Sequence, residues 1–321
     1  MNEFSLIQRF FTSGGVSRDD VVLGVGDDGA VVRCSPDQEW VMTSDILLAG
    51  RHFPKATTAY DVAYKALAVN LSDLAAMGAE PAWASLQLVL PEADERWLSD
   101  FARGFYELAK GYDLQLVGGD TVRGPLAVGL HLCGGVPTGK ALTRGGAQSG
   151  DLIYVTGSVG DAALGLGILQ GTIDLAQNHH PQLIHRLNRP TPRVQEGIVL
   201  RDRASAAIDL SDGLVADLGH ILSSSGVGAN IELGRVPVSD AYEAYLQGGG
   251  DWAFALSHGD DYELCFTLPP EHAVAVQEDF ASLACPLRQI GTIEPGAGLR
   301  IRQMDGSLYR SDRRGFDHFS Q

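Results

Sequence analysis

The chain has 321 residues, enough for two domains and for a core that needs no disulfide or metal staple. Its 40 acidic against 24 basic residues give a formal net charge of −16, which argues against a nucleic-acid partner and against an anionic membrane surface. No apolar run approaches the ~20 residues of a membrane span, the N-terminus is too short and polar for a signal peptide, and four cysteines among apolar neighbours read as buried thiols, so a cytoplasmic protein is expected.

Residues 21–25 read as a strand that runs into GVGDDGAVV at 24–32. Gly24, Gly26 and Gly29 have the G-x-G-x-x-G spacing, but a dinucleotide fingerprint needs a helix after it, and 29–34 reads as another strand. Asp27 and Asp28 would also repel a pyrophosphate, so the loop suits a cation. A short strand at 41–44 precedes Asp45. Residues 61–79 read as a helix, with Leu67, Leu71 and Leu74 at i, i+4, i+7. A strand at 84–91, a helix at 94–113 with Trp97, Phe101, Phe105 and Leu108 inward, and a strand at 114–121 entering a Gly118-Gly119-Asp120 turn follow.

After a strand at 126–136, the Gly-, Pro- and polar-rich stretch marks a boundary: 1–137 is read as one domain, 138–150 as a linker and 151–321 as a second domain. Gly134, Gly139 and Lys140 imitate a P-loop, but Ala141 has no hydroxyl for magnesium and no helix opens there. The second part restarts with a strand at 151–157 and a turn into a helix over 158–169. A strand, acidic turn and helix over 204–226 and a strand at 262–269 come later. Strands and helices alternate unevenly, which predicts two α/β (α+β) domains instead of one doubly wound sheet.

Aspartates recur beside Gly, Ser or Thr just past apolar stretches: Asp28, Asp45, Asp73, Asp120, Asp209, Asp212 and Asp260. Singly, each suits a cap or turn. Asp73 within a helical pattern and Asp120 with no capping signal after it do not. Two carboxylates ~4 Å apart repel by about 4 kcal/mol at an effective dielectric of 20, so a converging set would take up protons or bind cations. Hard oxygen ligands from dispersed loops point to Mg²⁺ or Ca²⁺, and Mg²⁺ completed by phosphates is the usual arrangement for phosphoryl transfer.

Taken together, GVGDDGA, TSDILLAGRHF, AYKALAVNLSDLAAMGAEP, GGDTVRGP, ALTRGGAQSGDLIYVTG, AIDLSDGL, DDYELCF and RGFDHF resemble, in order, the motifs of the thiamine-monophosphate kinase family, from residue 3 to residue 319. The resemblance implies an aminoimidazole-ribonucleotide synthetase-like fold, whose N-terminal domain sheet forms a homodimer and whose C-terminal α/β domain completes the site. It implies ATP and thiamine monophosphate as partners, direct in-line transfer to give thiamine diphosphate, and several Mg²⁺ ions. It implies Mg²⁺ ligation by Asp28, Thr43, Ser44, Asp45, Asp73, Asp120, Asp209 and Asp212, directly or through water. Gly119, Asp120, Ser211 and Arg144 would contact ATP, with Asp212 and Arg144 as electrostatic and positioning groups and no residue as base or nucleophile. His52, Asp260 and Phe316 would contact thiamine monophosphate. The chain departs from the common family pattern at His258, Asp260 and Phe316, which bear on substrate contact and not on the metal residues. Two alternatives stand beside this reading: another ATP-using member of the same fold group, such as aminoimidazole-ribonucleotide synthetase, and a non-catalytic Mg-nucleotide-binding protein.

Overall fold

The computed structural model describes residues 3–12 and 14–309. Phe316, expected at the substrate, lies outside the described residues. The chain divides into two compact units, 1–74 with 79–141, and 75–78 with 142–321.

In the first unit α1 (Glu3–Phe11) precedes a two-stranded antiparallel ribbon of β1 (Val21–Leu23) and β2 (Val31–Val32). A strand and not a helix therefore follows the Gly-Asp-Asp loop. Cys34 lies beyond this short strand and is exposed, and Cys133 is half-buried; of the four cysteines only Cys265 and Cys285 are buried, which corrects the expectation of four buried thiols. β3 (Gln38–Leu48) is longer than predicted and contains Asp45 within it. α2 (Ala59–Ala76) starts earlier than predicted, because Thr58 Oγ1 accepts from the Asp61 amide (3.1 Å) and donates to its carboxylate (2.7 Å). Leu67, Leu71 and Leu74 are fully buried.

β4 (Glu80–Leu90), α3 (Glu95–Gly111) and β5 (Gln115–Arg123) form a crossover between parallel strands, and β6 (Ala127–Pro137) completes a sheet of order β3-β6-β4-β5. Asp94 caps α3 by accepting from the amides of Arg96 and Trp97. The predicted Gly-Gly-Asp turn is not a turn. Gly118, Gly119 and Asp120 lie inside β5, paired in register with Ser85, Leu86 and Gln87. The pairing shifts just before, between Ala84 and Ser85, and Gly119 has φ +150°, so the local irregularity is a bulge within the ladder.

Side-chain alternation splits this sheet. Leu86, Leu88, Leu130 and Leu132 are buried on one face. The register aligns Met42, Ser44, Ile46 and Leu48 with Cys133, His131, Gly129 and Ala127 on the other face. That face leaves Met42 63% and Ile46 61% exposed, with Leu48 and Val122 also exposed.

The second unit begins with β7 (Leu152–Thr156) and α4 (Asp161–Leu169), then α5 (His180–Asn188), α6 (Val194–Leu200), β8 (Ala206–Asp209) and α7 (Leu214–Ser225). β9 (Gly228–Glu232), α8 (Asp240–Gln247), α9 (Ala253–Ser257), β10 (Leu264–Leu268), α10 (Ala273–Ser282), β11 (Leu287–Glu294) and β12 (Gly298–Arg302) follow. The six-stranded sheet has the order β12-β9-β11-β7-β10-β8 and is antiparallel except between β12 and β9. Its core packs Ile153, Val155, Ile208, Leu218, Ile231 and Ile290 among other buried apolar side chains. β8 and β10 are buried along their whole length, and β7 at every residue but Leu152, so no period-2 pattern marks them in the sequence.

Candidate active site

In the first unit Asp45 and Asp73 meet where β3 faces α2. Alternation along β3 turns Thr43, Asp45 and Leu47 toward this helix. Thr43 Oγ1 donates to Asp73 Oδ2, the Asp45 amide donates to Asn70 Oδ1 (3.1 Å), and Leu47 is 4% exposed. Burial, then the charge of Asp73, pushes the Asp45 carboxyl up to about 7. Ser44 projects from the opposite face, in register with His131. Asp28 is exposed in the β1–β2 turn, where its amide donates to Asp27 Oδ1 (2.9 Å). Asp120 is exposed on β5, an edge strand, one residue past Gly119. His52 closes the turn after β3: its Nδ1 accepts from the Leu48 amide (2.9 Å), and its own amide donates to Leu48 O (3.0 Å).

In the second unit β8 ends at Asp209, which is buried and in register with Leu264 of β10. The chain then turns through Leu210, Ser211, Asp212 and Gly213 into α7. Gly213 takes φ +112° where a Cβ would lie 2.9 Å from the Ser257 carbonyl carbon. Asp217, in the first turn of α7, accepts from the amides of Asp212 (3.1 Å) and Gly213 (3.0 Å). Burial and the charge of Asp212 push the Asp217 carboxyl up to about 7, against the opposing pull of those amides and of the Arg144 charge. Arg144 is itself exposed, so its guanidinium stands within electrostatic reach of the acidic turn while its head remains open to solvent. The backbone of 144–147 is tied to Ser225 at the end of α7 through its hydroxyl. Asp260 sits on a loop beside the turn, with its amide donating to Ser211 O (2.9 Å).

The structure thus brings Thr43, Asp45 and Asp73 together in one unit, and Asp209, Ser211, Asp212, Asp260 and Arg144 into one neighbourhood of the other. Among the described residues no group of three or more His, Cys, Asp or Glu side chains is placed to hold a metal ion by itself. Gly160, a potential phosphate donor at the start of α4, gives its amide to Asp261 Oδ1 (2.9 Å). No helix follows Lys140 before α4, so P-loop geometry is absent there. Sequence reasoning missed Asp217; its signal was an acidic residue in the first helical turn, five positions past Asp212, where helix amides attract a carboxylate.

Two domain families match the chain: AIR synthase related protein, N-terminal domain, over residues 26–136, and its C-terminal domain over residues 148–303. A two-unit fold of this class, with acidic turns and no P-loop, narrows further on comparison with whole proteins. The thiamine-monophosphate kinase of Salmonella typhimurium is 48% identical over 320 residues, covering 99% of this chain and 98% of that protein. The crystal structure of thiamine-monophosphate kinase from Stenotrophomonas maltophilia K279a has a TM-score of 0.87 at 46% identity, covering 96% of this chain and 98% of that one. The structure of AaThiL complexed with AMPPCP and TMP has a TM-score of 0.79 at 31% identity, covering 91% of each chain. The chain belongs to the thiamine-monophosphate kinase family. No helix among the described residues is long and apolar enough to cross a membrane.

Proposed function

We propose that the chain transfers the γ-phosphoryl of ATP directly to the phosphate of thiamine monophosphate, with several Mg²⁺ ions held by its aspartates. Its family membership makes it an ATP-dependent thiamine-monophosphate kinase; the route, the metals and the residue roles are the proposal. One observation supports the metal reading most: Asp45 and Asp73 are juxtaposed beside the Thr43 hydroxyl, and burial together with the Asp73 charge pushes the Asp45 carboxyl up to about 7. That pair with the Thr43 hydroxyl offers hard oxygens whose repulsion a divalent cation relieves, and phosphate oxygens would complete the shell. The residues therefore fit Mg²⁺. Asp28, Ser44 and Asp120 in the first unit, and Asp209 and Asp212 in the second, would be further Mg²⁺ ligands, some through water. When bound, the ions supply neutralisation of the phosphate charge that builds when two polyanions meet.

The chain's own groups do the rest. Gly119 and Asp120 on the β5 edge and Ser211 in the acidic turn would hold the nucleotide, and Arg144 would bind a phosphate through its planar fork. His52, Asp260 and Phe316 would hold thiamine monophosphate. The acceptor is already an anionic phosphate oxygen, so positioning and charge replace a general base. The four free cysteines suit a reducing, cytoplasmic setting.

Incubation with ATP, Mg²⁺ and thiamine monophosphate should yield thiamine diphosphate, and the rate should keep rising as Mg²⁺ is raised above the ATP concentration. γ-³²P-labelled ATP alone should leave the protein unlabelled. Saturation at equimolar Mg²⁺ would sink the several-metal reading, and a trapped phosphoprotein the direct-transfer reading.

The exposed apolar face of the β3-β6-β4-β5 sheet supports a homodimer formed through the first unit. Exposed Met42 and Ile46 on one sheet face are what a second copy of the same face would bury. At micromolar concentration the native mass should be twice that of the chain, and Ile46→Glu should halve it. A monomeric wild type refutes this assembly.

A further inference from the structure

The loop that carries Asp260 follows a disfavoured path. Gly259, Asp260 and Tyr262 have φ values of +68°, +67° and +53°, a region that Asp and Tyr rarely occupy. Gly259 has no room for a side chain, since a Cβ there would lie 2.1 Å from Ser211 O. Such a path persists only where its surroundings over-determine it. Two sets of bonds do so here.

The first set ties the loop to the acidic turn. The amides of Asp260 and Tyr262 donate to Ser211 O and Leu210 O (2.9 Å each), and the Leu210 amide donates back to Glu263 O (2.8 Å). The second set lies behind the loop. Asp260 and Tyr262 are half-buried, whereas Asp261 is 2% and Glu263 0% exposed. Asp261 Oδ1 accepts from the Gly160 amide at the start of α4. Glu263 is gripped by Arg193 (Nε to Oε2 2.6 Å, Nη2 to Oε1 2.8 Å), by Arg186 (Nη2 to Oε1 2.8 Å) and by the Thr156 hydroxyl (2.7 Å). Arg186 Nη2 also reaches Asp261 O at 3.5 Å. Gly157 makes room for this knot, since a Cβ there would lie 2.1 Å from Glu263 Oε1.

We infer that Asp261 and Glu263 are positioning residues for substrate recognition: with Arg186, Arg193 and the α4 N-terminus they hold the 259–262 loop in its left-handed path, so that Asp260 is presented beside the Ser211–Asp212 turn. The inference rests on the reading of Asp260 as a thiamine monophosphate contact. It assigns a task to an ion knot built from residues outside the proposed metal and nucleotide ligands. It also separates the two adjacent aspartates: Asp260 is half-buried beside the acidic turn, and Asp261 is buried against the start of α4.

Asp261 allows a clean test. Its Oδ2 has no hydrogen-bond partner among the described residues, and burial pushes its carboxyl well up. Asn in its place keeps the Oδ1 acceptor for Gly160 and removes no bond, whereas Ala removes the anchor. In the ligand-free full chain, amide exchange at Asp260 and Tyr262 should speed up at least ten-fold in Asp261→Ala and stay within about three-fold of wild type in Asp261→Asn. Exchange in α7 should be unchanged in both. The KM for thiamine monophosphate should rise about ten-fold in Asp261→Ala, with the KM for ATP within two-fold, and Asp261→Asn should restore it. Should Asp261→Ala fail to fold, Arg186→Met is read by the same two measurements with the same expected shifts. Unchanged exchange at 260 and 262 overturns the inference, and so does faster exchange with an unchanged KM for thiamine monophosphate, or an equal rise in both KM values. A wild type that does not turn over thiamine monophosphate would refute the functional reading instead, with the exchange measurement still deciding whether the knot holds the loop.

Discussion

Replacing Asp73 by Asn should lower thiamine diphosphate formation about a thousand-fold while leaving the metal-free melting temperature unchanged or raised. Asn is nearly isosteric and can still accept from the Thr43 hydroxyl, so a residue that served only helix packing would tolerate it. A metal ligand would not, because the lost charge is the one that offsets phosphate in the transition state. The electrostatics sharpen the test. Asp45 is held up at about 7 by burial and by Asp73, above its ordinary value. A folded-state value raised in this way means that the folded protein holds the proton more tightly than the unfolded chain. The stability contributed is full below about pH 4 and is lost as pH rises through about 7. Metal-free wild type should therefore melt lower at pH 8 than at pH 5. Asp217, also held up at about 7, acts in the same window, so Asp73→Asn should flatten this fall without abolishing it. Melts from pH 4 to 8 in EDTA, with steady-state rates at saturating Mg²⁺, check both halves. Near-normal activity with an unchanged pH profile removes Asp73 from the site.

Gly119→Ala should be the most damaging single-methyl change in the first unit. A Cβ at 119 would lie 1.9 Å from Leu86 O and 2.9 Å from Leu86 N, both backbone atoms in the paired strand, and φ is +150°. Nothing flexible can yield, so β5 would have to leave β4 one residue before Asp120. The expected cost is about 3 kcal/mol or more, which at roughly 2–4 °C per kcal/mol lowers the melting temperature by about 10 °C. A shifted Asp120 should also raise the KM for ATP. Gly118→Ala is the control: a Cβ there meets nothing within 4 Å, and it should melt close to wild type. Equal melting of the two variants would show that the bulge opens without cost and that glycine at 119 answers no steric demand.

Several features were readable from the chain alone. Apolar residues at helical spacing located both α2 and α3, because that signal is local. The family's fold and its reaction were readable because eight motifs occur in order, each a short run whose residue types answer to one chemistry. The strand after the Gly-Asp-Asp loop excluded a Rossmann cradle for the same local reason. Other features depend on neighbours far away in the chain. Gly118-Gly119-Asp120 looks like a turn in one dimension; it is a bulge in a parallel ladder because β4 is there to pair with it. Thr43, Ser44 and Asp45 are adjacent in sequence, yet the pleat sends Ser44 to the opposite face from its neighbours, and only the position of α2 tells which face is acidic. Asp260 and Asp261 are identical letters with opposite environments, one beside the acidic turn and the other sealed against the start of α4. Residue type and spacing determined which chemistry this protein carries, since those are properties of short segments. Which oxygen meets which was decided by the tertiary structure, since strand register, sheet face and burial exist only once distant segments are paired.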